Sequence, residues 1–512
     1  MLRRKPSSAA GANADNSAAT ADAANKRVRV DGDADVASAI VPAAESAHVV
    51  AQFVAEDGST TGPPLDLPLN VTPDQLRILL NSLLKAEEDD TPYSFFVNEE
   101  EVTETVHSAF AKQGLSSEVA LQILYVPQAV FRVRAVTRCT SSMPGHSDSV
   151  TTVAFSPDGT RLASGSGDTT VRFWDVRTQT PEHTCTGHKH WVLAIAWSPD
   201  GKHVATADKN SQIYVWDAEN GKAKCGPMTG HSSWVNWISW EPVHLNPECR
   251  RFATASKDGT VKIWDILQKR CLMTFAQHTN SVTCVKWGGE GLIYTASQDR
   301  TIKVWRVADG VMCRSLTGHA HWVNVMALST DYVLRTGAFD HTGRAPATPE
   351  EAKTRALERY NAALAGGRER LVSGSDDFTM FLWDPSESKQ PITRMTGHQQ
   401  VVNHLSFSPD GRYITSASFD KSVKLWDGRT GKFICTFRGH VGPVYQVAWS
   451  ADSRLCVSAS KDSTMKVWDM ASKHLKFDLP GHADEVFAVD WSPDGESVAS
   501  GSRDTMVKIW RS

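Results

Sequence analysis

Apolar and polar residues begin to alternate at residue 48. Val49, Ala51 and Phe53 take every second position, Asp57-Gly58 offers a hairpin turn, and Leu65, Leu67 and Leu69 alternate again, which predicts two strands. The period then lengthens. Leu76, Leu79, Leu80, Leu83 and Leu84 fall on one face of a helix that Thr72 opens as N-cap, with Pro73 at the first helical position. A strand at 94–97, a shorter helix near 102–112 and a strand at 121–126 complete the order ββαβ-α-β. Over residues 48–129 this order suits a small α+β domain of ubiquitin-like (β-grasp) type, in which one helix covers a mixed sheet.

From Gly145 a longer rhythm takes over. Gly-His pairs begin at Gly145, Gly187, Gly230, Gly318, Gly397, Gly439 and Gly481, with Gln277-His278 as a variant, and each unit closes on a tryptophan followed by Asp or Arg. Those tryptophans are Trp174, Trp216, Trp264, Trp305, Trp383, Trp426, Trp468 and Trp510; apart from one long unit the period is 41 to 47 residues. This is the signature of a mainly β, eight-bladed WD-repeat propeller over 130–512, with four strands per blade.

The repeated residues read as staples. In the first blade they are His146, Ser166, Asp168 and Trp174, and the same six-residue offset from Asp to Trp gives Asp258, Asp299, Asp377, Asp420, Asp462 and Asp504. A turn carboxylate can accept from a His on the preceding loop while a hydroxyl and the indole N–H extend the network. His, Asp and Ser also make hydrolytic triads, but catalytic sites are singular and staples recur, so no enzymatic activity is expected. The second blade departs, with Asn210 at the Asp position and Asp208 at the Ser position, and its network should be weaker or rewired. Only two residues follow Trp510, so the run 130–138 is expected to supply the missing outer strand of the eighth blade and close the ring.

Three features point outward. Trp191, Trp234 and Trp322 stand three residues after the His of their units and suit interface anchors near one rim. Lys209, Lys257, Arg300, Lys421, Lys461 and Arg503 flank the turn aspartates, opposed by few acids except Asp376, and suggest a basic collar for RNA backbone or an acidic protein. The fifth unit carries an insertion at 329–370 with its own helix, opened by the capping box Thr348-Pro349-Glu350-Glu351 and read as an ordered partner-binding element.

Composition narrows the setting. Residues 1–47 are rich in Ala, Ser, Asn and Asp and almost free of aromatics, as in a disordered tail; Arg3-Arg4-Lys5 and Lys26-Arg27-Val28-Arg29 are candidate nuclear-import clusters. No apolar run is long enough to span a membrane, and nine scattered cysteines without a CxxC pair predict a reduced, intracellular protein with neither disulfides nor a zinc site. A formal charge of -4 argues against a uniformly basic nucleic-acid binder but leaves local patches open. No phosphate-binding glycine loop or nucleophile elbow appears, so no cofactor of its own is expected.

The runs 125–133 (YVPQAVFRV), 239–244 (SWEPVH), 328–332 (LSTDY) and 397–399 (GHQ), together with the small first domain, eight units and a fifth-unit insertion, resemble the Notchless family of ribosome-assembly factors. The resemblance runs from about residue 48 to the end. It implies a nuclear, nucleolar and nucleoplasmic factor, monomeric within a larger complex, on precursors of the large ribosomal subunit with their ribosomal proteins, assembly factors and rRNA. It further implies that midasin, a giant dynein-related ATPase, grips the ubiquitin-like domain, where Glu118 would complete in trans the Mg2+ shell of midasin's metal-dependent adhesion site. Glu99, Glu100 and Glu101 form a rival acidic loop. The alternative is a substrate receptor of a ubiquitin ligase or a signalling scaffold, for which no F-box-like bundle and no sustained heptads are present.

Overall fold

In the small domain, β1 (His48–Val54) and β2 (Thr60–Pro68) form the expected antiparallel hairpin, with Ala51 opposite Leu65 and Val49 opposite Leu67. After α1 (Pro73–Leu84) come β3 (Tyr93–Val97), the short β4 (Glu100–Glu101) and β5 (Leu121–Pro127). The sheet order is β2-β1-β5-β3-β4, and β5 runs parallel to β1 and antiparallel to β3. Placing the last long strand beside the first is the β-grasp arrangement. Leu76 and Leu80 of α1 are fully buried with Phe53, Phe95 and Ile123, each burial worth roughly 1.5–3 kcal/mol, while Leu84 is 38% exposed at the end of the helix.

This computed structural model describes residues 48–55, 58–84, 93–97, 100–102, 105–107, 121–127, 131, 133–364 and 366–512. The tail 1–47 and its basic clusters, Glu99 and Glu118 lie outside the described residues. The second helix expected in the small domain is described only at Val106 and His107.

The ring consists of eight four-stranded antiparallel sheets. Each innermost strand begins with a fully buried valine: Val150, Val192, Val235, Val282, Val323, Val402, Val444 and Val486. A bulge just after each of these valines shifts the register against the second strand, which adds local twist where the blades converge. The upper rim is here the one where innermost strands begin, and the lower rim the one where they end.

Closure corrects the expectation for 130–138. The strand that completes the eighth blade is β6 (Arg138–Met143), with Met143 opposite Val507 and Arg138 opposite Arg511. The described residues before it pack on the ring: Phe131 stacks on His341 at 4.0 Å, the Val133 N–H donates to Asp452 Oδ2 at 2.9 Å, and Val136 is buried against Leu455, Val457 and Leu479, while the Thr137 N–H reaches Arg511 O at 2.9 Å where the strand begins. Its apolar residues are used under the ring, whereas an outermost blade strand faces water and is polar, as Thr140, Ser141 and Ser142 are.

The fifth-blade insertion holds two helices where one was expected, α2 (Asp331–Thr336) and α3 (Pro349–Leu364). At the start of α3 the Thr348 hydroxyl accepts the Glu351 N–H at 3.2 Å, while Glu351 reaches back to the Ala347 N–H at 2.8 Å. This is the reciprocal cap read from the sequence, shifted by one residue on the return bond.

Candidate interaction surfaces

The staples are the ground on which the surfaces stand. In the first blade the His146 ring meets Asp168 Oδ2 through Nδ1 at 2.9 Å and Ser164 Oγ through Nε2 at 2.8 Å, and the Trp174 indole N–H donates to Ser164 at 2.8 Å. With Asp168 ionised, Nδ1 carries the proton and Nε2 accepts from the hydroxyl. Burial alone would raise the Asp168 carboxyl, but His146 together with the Ser147 and Thr170 donors holds it well below the usual carboxylate range.

The relay recurs in every blade. Its hydroxyl comes from Thr206, Thr254, Thr295, Ser373, Ser416, Ser458 and Ser500 in the blades that follow the first. Ser166 is therefore not the middle member, as the sequence reading had it. It sits at the strand end, where its Oγ accepts the Asp168 N–H at 3.1 Å and donates to Asp148 O at 2.9 Å, bracing the turn; Ser164, one pleat deeper, lies under the imidazole. The second blade is rewired: fully buried Asp208 takes His188 at 3.1 Å and the N–H groups of Asn210 and Gln212 at 2.9 Å each.

On the upper rim, one backbone bond repeats around the ring. The residue before each turn aspartate donates its N–H, at 2.9–3.0 Å, to the carbonyl of the residue three after the His; the second blade, where Asn210 holds the turn position, does the same. In every blade but the first, where the donor is Gly167, this bond sets two side chains next to each other, as in Lys209 with Trp191, Lys257 with Trp234, Asp376 with Trp322, and Arg503 with Glu485. In the second and third blades the result is a ladder: Lys209 Nζ lies 5.2 Å from the Trp191 ring and 5.1 Å from that of Trp234, and Lys257 Nζ lies 4.2 Å from Trp234. Trp191 is 42% exposed.

The expected collar is consequently not uniform. Lys461 and Arg503 both face Glu485, at 3.4 and 3.8 Å, and Arg503 also faces Asp484 at 3.8 Å. Trp322, equally exposed, has the acid Asp376 beside it in place of a lysine, with His321 at 3.5 Å from that acid. Arg300 and Lys421 stand on the other side of their aspartates, with φ of 69° each, in a left-handed turn position. Lys189, exposed directly after His188, adds a cation that the sequence reading passed over, although it lies inside the run Gly-His-Lys-His-Trp.

The lower rim is covered. From the end of an innermost strand, α2 reaches across the central channel of about 340 Å³. Asp331 pairs with Lys286 of the fourth blade at 2.8 Å, Arg335 with Asp490 of the eighth at 2.7 Å, and the Tyr332 hydroxyl donates to Pro493 O at 3.3 Å. Tyr360 of α3 stacks on His244 of the third blade at 4.7 Å and rests over Gly289, where any Cβ would collide with its ring. Beneath it, buried Glu369 accepts from Thr330 at 2.5 Å, Tyr294 at 3.1 Å and the Gly289 N–H at 3.2 Å, yet burial still pushes its carboxyl up to about 7. The small domain meets this same rim, where the Arg412 guanidinium lies 4.1 Å over the Phe96 ring. The insertion's buried face is thus committed within the chain. Lys353, Leu357 and Glu358 point outward from α3.

Among the described residues, no group of three or more His, Cys, Asp or Glu is placed to hold a metal, and no helix is long and apolar enough to cross a membrane.

A ring of eight relay-stapled blades behind a β-grasp domain defines a WD-repeat propeller protein. Models of known families agree: the NLE (NUC135) domain matches residues 49–110, and the WD domain, G-beta repeat, matches seven stretches between 137 and 511. The blade with no match is the fifth, whose repeat the insertion interrupts. The chain is 54% identical to Protein Notchless of Drosophila melanogaster over 71% of its length and 75% of the relative's. It is 57% identical to the Notchless protein homolog of Arabidopsis thaliana (77% and 83% covered) and 50% identical to Ribosome assembly protein 4 of Saccharomyces cerevisiae (78% and 81%). Among solved structures, the computationally designed Ika8 protein aligns with a TM-score of 0.58 and 26% identity, over 73% of this chain and all of that one. The chain belongs to the Notchless family.

Proposed function

We propose that this protein is a non-enzymatic assembly factor for the large ribosomal subunit, in which the ring docks on the pre-ribosomal particle and the β-grasp domain is gripped by midasin. The proposal includes a nuclear site of action, nucleolar and nucleoplasmic. Family membership and a relative named Ribosome assembly protein 4 support the assembly role.

The observation that carries the coupling is the strap between the two domains. Among the described residues between β5 and β6, Phe131 is stacked on the insertion, Val133 is bonded to Asp452, and Val136 is buried in the ring. A pull on the small domain would therefore load the lower rim directly. Glu118, three residues before β5 in sequence, is the assigned contact. A carboxylate is a hard oxygen ligand that Mg2+ accepts in place of water, so attachment would depend on the partner's metal. Glu118→Ala and Glu118→Asp should abolish Mg2+-dependent capture by midasin's adhesion domain while circular dichroism stays unchanged. Undiminished capture by a folded variant, or wild-type capture that survives chelation, would refute the assignment.

A further inference from the structure

We infer that the upper-rim arc of the second to fourth blades is a binding site for unpaired RNA, which deepens the docking role above and rests on it for the source of that RNA. Four cations, Lys189, Lys209, Lys257 and Arg300, lie on three consecutive blades with the indoles of Trp191 and Trp234 between them. The only carboxylates on the Gly-His loops and turns of these blades are Asp208, Asp258 and Asp299. All three are occupied by their histidines and turn amides. Among the described residues, no unoccupied carboxylate within the arc faces the lysines, whereas Asp148 of the first blade and Asp376 of the fifth mark its two ends. Across the ring the corresponding cations are already matched by Glu485 and Asp484.

The ladder favours RNA over an acidic peptide. Ammonium groups held over indoles are pre-positioned for phosphate, and Trp191, beside them and 42% exposed, offers the flat apolar surface on which an unpaired base stacks. A peptide carboxylate would use the cations and leave the indole without a partner of its own shape.

The test is fluorescence anisotropy of a short labelled oligouridine with the full chain, titrated across salt concentrations. Lys209→Glu combined with Lys257→Glu should weaken binding about tenfold or more and lower the slope of log affinity against log salt by about 1.4, the value for two single-strand phosphate contacts. Trp191→Ala should weaken binding about tenfold with the slope unchanged, as loss of stacking requires. Lys461→Glu on the opposite arc should leave binding as it was. The inference is overturned if folded wild-type protein fails to bind oligouridine, if the arc variants bind as wild type does, or if a polyglutamate peptide displaces the RNA at equal charge. Pre-ribosomal particles co-purifying with the wild-type chain are scored separately. Their absence sinks the assembly role, whereas their presence without oligouridine binding sinks only the RNA site.

Discussion

The two rims of the ring are stabilised by opposite means. On the upper rim each blade braces itself with its own His-Asp-hydroxyl-Trp relay, so every blade is held locally and two positions per blade stay free to differ. On the lower rim one inserted segment ties the third, fourth and eighth blades to the fifth, and the small domain sits against that same side. A repeated brace leaves variable side chains outward, which makes a recognition surface; a single brace across many blades makes an anchorage.

The largest expected effect lies in the upper brace. Asp208→Ala would strand the His188 ring and the amides of Asn210 and Gln212 in a fully buried site, and should lower stability to urea by about 3–5 kcal/mol. Next comes pH, to which the two rims respond in opposite senses. The turn aspartates are depressed in the folded state, so their contribution is present above the ordinary Asp range and is lost as pH falls through their folded values. Glu369 is raised from 4.5 to about 7, so its contribution is complete below 4.5 and is lost as pH rises through about 7. Glu369→Gln should flatten the decline in unfolding free energy between pH 5 and pH 8, a span worth up to roughly 3 kcal/mol. An equally steep decline in the variant would show that another group governs that range.

Smaller effects sharpen the anchorage. Arg335→Ala should cost about 1 kcal/mol, since Asp490 keeps the Phe155 and Trp491 N–H donors; it should raise amide exchange in α2 with little change in the first three blades. Phe131→Ala should cost less still, about 0.5–1 kcal/mol, and appear chiefly as faster proteolysis between the domains with an unchanged melting temperature of the ring. If the strap is instead cut no faster, Phe131 is not what holds it.

The sequence was most informative where one residue has one geometric use. Gly-His pairs and closing tryptophans reveal all the blades, including the fifth, because each relay needs its own His and its own indole. Spacing does not tell Ser164 from Ser166, because they lie two apart on one strand, on the same pleated face, and only depth separates them. β6 leaves little apolar pattern because an outermost strand is polar, while the strap before it carries the apolar residues. α2 is six residues long, too short to show a helical period, and its role depends on Lys286 and Asp490, far away in sequence. The split of the basic residues into a free arc and a neutralised one follows from which loop faces which turn, and spacing within one unit does not carry that.

The pairing of β6 with Val507–Arg511 has a consequence for synthesis. The first of these partners leaves the translating ribosome about 360 residues ahead of the second, a wait of roughly 20 to 70 s at ordinary elongation rates. Throughout that interval the nascent toroid has a gap, bounded by a solitary edge whose hydrogen-bonding groups can recruit foreign strands. A holdase that shields Arg138–Met143 until Val507–Arg511 emerges would suppress such misjoining, and a circularly permuted gene that delivers both partners together would dispense with it.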